Sequence, residues 1–202
     1  MPSTVDFYFS PVSPWTYLGM PRFRAITAKY GAEVNYKPVD MVQLFASAAV
    51  KPVKERPEPI RRNRMAELGR WRRHLGMKLN LEPKYFPTSP TLANKMIIAA
   101  VLAGDKARDV GALAEGYLRA CWVEERNLAE EATVVAVADE CGFAGRSLRE
   151  AAEQPAVAAA FAANTKEALA RYVWGSPSYV VDGELFFGQD RLFFVEEKLA
   201  QG

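Results

Sequence analysis

The sequence predicts an α/β fold, βαβ at the start and ββα at the end, interrupted by a large all-helical insertion. Three observations predict it. A strand, a helix and a second strand are legible within residues 4–39. From about residue 58 to 171 the apolar residues recur at helical spacing, and strand signals are almost absent. Near the end, two apolar runs flank an Asp-Gly pair and a closing helix follows.

The elements follow in order. In residues 4–9, Val5, Phe7 and Phe9 alternate with Asp6 and Tyr8, the period of a strand. Over 14–30, Trp15, Leu18, Phe23, Ile26 and Tyr30 recur at helical spacing, and Gly31 stops the helix. Residues 33–39, EVNYKPV, alternate again. A strand, a helix and a strand this close form a right-handed parallel unit. Residues 43–56 read as irregular and carry part of the basic, proline-bearing stretch KPVKERPEP. Helical patterns then cover 58–76, 90–103, 107–122, 130–141 and 155–171, with the proline-bearing loop LEPKYFPTSP between the first two. Residues 178–183, SYVVDG, form a strand entering a turn, and ELFFG at 184–188 is the returning strand, because Asp-Gly between apolar runs favours a tight hairpin. Residues 190–200 close the chain as a helix. The whole is a thioredoxin-like layout, with 1–42 and 169–202 as one domain and 43–168 as an inserted helical domain.

Composition narrows the function. The chain has 202 residues, half of them hydrophobic and a quarter charged, with 26 basic and 24 acidic residues giving a net charge of +2. Such a balance offers no bulk attraction for nucleic acid or a membrane surface. The first residues lack the basic flank and apolar run of an export signal, and no apolar run reaches the roughly 18 residues of a membrane span. A cytoplasmic protein is therefore expected. The two cysteines, Cys121 and Cys141, read as core residues rather than a disulfide. His74 is the only histidine and falls on a helix surface, which argues against a zinc site and against a Ser-His-Asp triad.

Two motifs carry chemistry. The first is DFYFSPVSPWTYLG at 6–19, which ends a strand, turns on two prolines and starts a helix at Ser13-Pro14. The second is VWGSPSYVVDGELFFGQDRL at 173–192. Together with the helical insertion, they make the chain resemble the 2-hydroxychromene-2-carboxylate isomerases. These belong with kappa-class glutathione transferases in the DsbA-like branch of the thioredoxin superfamily. The resemblance covers essentially the whole chain.

Ser13 opens SPWT, where redox members of the superfamily carry C-x-x-C, so Ser13 and Thr16 replace the two cysteines and dithiol exchange there is excluded. The start of a helix presents unpaired N–H groups and partial positive charge, which stabilise a thiolate. The resemblance implies that the Ser13 hydroxyl activates the sulfur of bound glutathione. Ser13 also reads as an ordinary N-cap ahead of Pro14, and the two roles are compatible. Ser176-Pro177 falls where thioredoxin folds hold a cis peptide. The resemblance implies a cis bond there, with Ser176 presenting its backbone to an extended peptide such as glutathione; an ordinary strand-start proline is the other reading. Phe187, Gly188, Gln189 and Asp190 match the family segment that binds the γ-glutamyl end, although Asp190 also suits a helix N-cap. Arg61, with Arg62 beside it, matches the cation that the family's insertion supplies for carboxylates. Trp15 belongs either to the substrate pocket or to helix packing, while Trp71, Trp122 and Trp174 read as core or interface. Ser10, Val50 and Asn63 depart from residues common in relatives, which bears on the substrate more than on glutathione.

The expected function is glutathione-dependent cis–trans isomerisation of a small aromatic unsaturated keto-acid, by a homodimer that binds neither nucleic acid nor membrane. A kappa-like glutathione transferase or peroxidase, or a non-catalytic thioredoxin-like binding module, are the other readings.

Overall fold

A computed structural model of the protein describes residues 3–202. Met1 and Pro2, where the expected first domain and the leaderless start begin, lie outside the described residues. Strand β1 (Thr4–Phe9) leads through a turn into α1 (Pro14–Lys29) and then β2 (Glu33–Pro38). Helices α2 (Met41–Ser47), α3 (Glu58–His74), α4 (Thr91–Ala103), α5 (Val110–Trp122), α6 (Glu131–Glu140), α7 (Gly145–Ala151) and α8 (Pro155–Ala170) follow. The chain closes with β3 (Ser178–Val181), β4 (Glu184–Phe187) and α9 (Leu192–Leu199). No helix among the described residues is long and apolar enough to cross a membrane.

The four strands lie in the order β2-β1-β3-β4. β1 runs parallel to β2 and antiparallel to β3, and β3 pairs antiparallel with β4. Asp182 and Gly183 both adopt positive φ, 48° and 81°, the backbone that a two-residue hairpin of this twist requires. The sheet buries both faces of β1. Phe7 and Phe9 stack at 4.5 Å on the face covered by α1, and Phe7 also stacks on Tyr179 at 5.3 Å. Their core continues without a break into Met96, Ile97, Leu113 and Trp122 of the insertion. On the other face Tyr8 packs with Val39, Leu44, Ala168 and Val180.

Two helices depart from the sequence reading. α2 occupies residues read as irregular. Asp40 caps it, its carboxylate accepting from the Val42 N–H at 2.9 Å, and Leu44 is its one buried residue. α7 buries only Gly145 and Leu148. One or two buried positions produce no periodicity to read. α5 begins at Val110 rather than 107, because Asp109 accepts from the Ala112 N–H and sets the start. Between β4 and α9 the chain makes a single 3-10 turn, Gln189–Arg191.

Candidate active site

α1 starts at a fixed point because three groups hold its first turn. Ser13 is the N-cap, its Oγ accepting from the Thr16 N–H at 3.2 Å, and Pro14 supplies a backbone already suited to the first helical position. The Ser13 hydroxyl donates to the carbonyl of Ser176 at 3.2 Å, across 163 residues of sequence. The Ser176–Pro177 peptide is cis. The Ser176 hydroxyl meets Thr16 Oγ1 at 2.8 Å and accepts from the Ser10 N–H at 3.0 Å. Ser176 is thus the hub joining the end of β1, the start of α1 and the approach to β3. Trp122 of α5 donates from Nε1 to the Val12 carbonyl at 3.2 Å, fixing the turn to the insertion.

In front of this hub lies a cleft of about 480 Å³. The frame lines it with Ser10, Ser13, Trp15, Trp174, Ser176 and Phe187. The ring of Phe187 lies 4.0 Å from that of Trp174 and presses on Gly175, which leaves no room for a Cβ. The opposite wall comes from the insertion: Phe45 of α2, Arg64 of α3, Asn94 of α4 and Phe161 of α8, with Arg56 and Phe86 from the loops between. The surface is largely apolar, as small-molecule sites are, and its volume is in their range.

The polar groups of the two walls differ. Among the described residues Arg56 and Arg64 form no ion pair. Arg56 donates from Nε to the Lys51 carbonyl and lies over the Phe45 ring at 5.4 Å. Arg64 lies over the Phe86 ring at 6.0 Å, and its one hydrogen bond goes to the Met65 sulfur. Burial holds the Arg64 guanidinium below its usual basicity, and the neighbouring charge of Arg56 acts in the same direction. Burial does the same to Arg56. Among the described residues neither guanidinium is within ion-pair distance of a carboxylate, although Asp40 also lines the cleft.

The structure brings Ser13, Trp15, Ser176 and Phe187 to this one cleft. Trp15 is half-buried and both lines the cleft and packs on the core. Pro177, Gly188, Gln189 and Asp190 are not among its lining residues. Gln189 is only 2 % exposed, and Arg22 of α1 donates to its backbone carbonyl at 3.2 Å and to its side-chain oxygen. Asp190 caps neither the 3-10 turn nor α9; its carboxylate pairs with Arg191 at 3.0 Å. Arg61 and Arg62 are exposed on α3 outside the cleft, and Arg62 pairs with Glu58 one turn back. The cations in the cleft are Arg64, one turn further along α3, and Arg56. Sequence reasoning missed both. The available signal was that Arg64 stands beside Met65 and four residues before Leu68, the buried row of α3. Of the departures, Ser10 and Val50 line the cleft, whereas Asn63 is exposed. Trp174, read as core or interface, is a cleft residue, while Trp122 is fully buried.

A sheet of this topology, with a helix start and a cis-proline meeting at the end of β1, defines a member of the thioredoxin class, here with the hydroxyls of Ser13 and Thr16 in place of a cysteine pair. The sequence profile of the DsbA-like thioredoxin domain matches residues 4–200, so the chain belongs to that family. It is 27 % identical over 201 residues to the 2-hydroxychromene-2-carboxylate isomerase of Sphingobium xenophagum, covering 98 % of this chain and 99 % of that one. A solved structure of a 2-hydroxychromene-2-carboxylate isomerase superposes with a TM-score of 0.75 at 23 % identity, covering 98 % of this chain and 95 % of the other. The cytosolic disulfide reductase DsbM of Pseudomonas aeruginosa, solved with glutathione, superposes with a TM-score of 0.69 at 20 % identity, covering 98 % and 96 %.

Proposed function

We propose that this protein is a glutathione-dependent cis–trans isomerase of an aromatic unsaturated keto-acid, interconverting 2-hydroxychromene-2-carboxylate and trans-o-hydroxybenzylidenepyruvate or a close analogue. The observation that carries this reading is the Ser13 hydroxyl at the start of α1, opening on an apolar cleft whose far wall holds two unpaired guanidinium groups. Full-length similarity to isomerases of that name and the likeness to a glutathione-bound DsbA-type structure support it.

The residues present fit glutathione. The helix start offers positive potential to an anion, and Ser13 offers a hydroxyl. That hydroxyl now donates to the Ser176 carbonyl over a long 3.2 Å bond, and a sulfur anion placed beside it competes for the same proton. Glutathione, when bound, would supply a thiol nucleophile for reversible addition to a conjugated alkene, which would free the former double bond to rotate before the thiol is released again. Ser13 holds that sulfur. Ser176 and Phe187 would border the peptide, with Gly188, Gln189 and Asp190 following along the same segment. Arg64 and Arg56 take the role expected of Arg61 and Arg62 and orient the substrate carboxylate. The aromatic walls, including Trp15, exclude water from the reacting bond. No step needs an oxidant, and the chain's own thiols lie elsewhere: burial pushes Cys121 up to about 12 and raises Cys141 as well. A homodimer acting in the cytoplasm belongs to the same reading.

The test is calorimetric titration with reduced glutathione, for the wild type and Ser13→Ala, with ultraviolet thiolate absorbance followed in parallel. Because neither cysteine ionises near neutral pH, any thiolate signal there belongs to glutathione. Binding by both proteins, with the signal lost in the variant, supports Ser13 as the thiol activator. Absence of binding by the wild type overturns the reading in favour of a thioredoxin-like binding module. Conjugation of chlorodinitrobenzene, assayed beside isomerisation, separates a transferase from an isomerase.

A further inference from the structure

One polar group in the cleft has no use within the protein. Asn94 sits in the first turns of α4 among Ala93, Met96, Ile97 and Ile98, all buried. Its backbone is satisfied, the N–H donating to the Pro90 carbonyl at 2.8 Å. Its side chain is not: the residue is 3 % exposed, lines the cleft, and its Oδ1 is buried with no hydrogen-bond partner. The side-chain amide makes no hydrogen bond to any described residue. Buried amides are nearly always satisfied, so an orphan in an apolar wall points to a partner from outside the chain.

The hydroxyls of the cleft and the Asp40 carboxylate already have partners. Ser13 and Ser176 bond each other and the α1 start, and Thr91 accepts from Ser89 at 3.0 Å. Asp40 is taken by the Val42 N–H and the Gln43 amide. Among the described residues, the cleft groups left without a counterpart are the Arg56 and Arg64 charges, which have no ion pair, the exposed or half-buried indole N–H groups of Trp15 and Trp174, which can only donate, and the buried Asn94 amide. An anion entering the cleft goes to the two guanidiniums, where attraction is strongest. The amide is left for a neutral oxygen, and since it both donates and accepts, it suits a hydroxyl best.

Building on the isomerase reading, we propose that Asn94 is a specificity-determining residue that hydrogen-bonds the ring hydroxyl of the aromatic substrate. The keto oxygen is adjacent to the carboxylate and stays with the arginines. The hydroxyl on the far ring is the remaining neutral polar group. An Asn-lined wall therefore selects hydroxyaryl keto-acids over their unsubstituted counterparts, which would leave the amide unsatisfied.

The experiment measures equilibrium binding of trans-o-hydroxybenzylidenepyruvate and of trans-benzylidenepyruvate without glutathione. Quenching of the cleft tryptophans reads binding near neutral pH, where the phenol stays protonated. The wild type should prefer the hydroxylated compound about tenfold. Asn94→Leu, close in volume, should bind the two within about twofold of each other and unfold at the same or higher temperature, because an unsatisfied amide has been removed. Asn94→Ala serves the same comparison if the leucine variant does not fold. Equal affinities in the wild type, or a preference that survives in both variants, overturn the assignment of Asn94 and leave the isomerase reading standing. Failure of the wild type to bind either compound brings down both.

Discussion

The two walls of the cleft are built on opposite principles. On the frame wall each hydroxyl closes on another protein group: Ser13 on Ser176, Ser176 on Thr16 and Ser10, and Ser13 again on the Thr16 N–H. On the insertion wall Arg56 and Arg64 reach the cleft without an ion pair, and Asn94 with its amide oxygen unmatched. The first arrangement stabilises the fold and fixes the position of the Ser13 oxygen at the start of α1. The second works against stability, because desolvated polar groups without partners are unfavourable until something binds. On the proposed reading, the chemistry falls to the internally bonded side and recognition to the side that gains most from a ligand.

Substitutions should sort by wall. The largest effect is expected at Ser13. Ser13→Ala removes one donor to the reacting sulfur and should lower kcat/KM of isomerisation about 10²-fold or more. It should also lower stability by about 1 kcal/mol through the lost cap, read as a shifted urea midpoint. Arg64→Met comes next. It removes a charge-assisted contact to the substrate and should raise KM about 10- to 100-fold while leaving the glutathione thiolate signal intact. Its urea midpoint should hold or rise, since no ion pair is broken and a desolvated charge is removed. Thr16→Val reverses that pattern. It deletes the 2.8 Å bond to the Ser176 hydroxyl and should cost about 1 kcal/mol of stability with a smaller change in KM. A lower midpoint for Arg64→Met and an unchanged one for Thr16→Val would break the contrast between the walls.

The same contrast explains what could be read from sequence. The frame was legible element by element. Alternation in TVDFYF, the Ser-Pro helix start and the Asp-Gly hairpin are local signals, and each sits where local backbone preference and burial agree. The bond from Ser13 to Ser176 follows once β1 pairs with β3, with Tyr8 opposite Ser178. The insertion wall depends on quantities with no local signature. Whether Arg61, Arg62 or Arg64 reaches the cleft depends on how α3 is rotated against the frame, and basic residues recur along several of its faces. Asn94 is one polar residue in an apolar helix, and a sequence cannot show that its amide lacks a partner. The segment 187–190 was legible as a helix approach, but not the claim of Arg22 on Gln189, which needs α1 and the 3-10 turn side by side. α2 and α7 were missed because each buries only one or two residues.

A third region, remote from both walls, provides the control and the smallest expected effect. On the strand face bearing Tyr8, Lys37 pairs with Asp6 at 2.9 Å and with Glu167 at 2.8 Å, and Arg171 reaches Asp6 at 3.2 Å. None of these residues lines the cleft. Burial by itself raises the Asp6 carboxyl. The hydrogen bonds from Asn35 and Lys37 and the charges of Lys37 and Arg171 more than offset this and hold it below its ordinary value of 3.8. A depressed carboxyl contributes stability that is fully present above the unfolded value and disappears as pH falls through the folded one. Asp6→Asn should therefore be less stable than the wild type at neutral pH, and the difference should shrink below about pH 4 until the two curves meet. Thermal unfolding across an acid series reads this directly. Glutathione and keto-acid affinities at neutral pH should not change, because the network touches neither wall. If Asp6→Asn instead alters ligand affinity while its acid profile follows the wild type, the sheet couples this network to the cleft, and the division into a rigid chemical wall and a ligand-dependent recognition wall would have to include it.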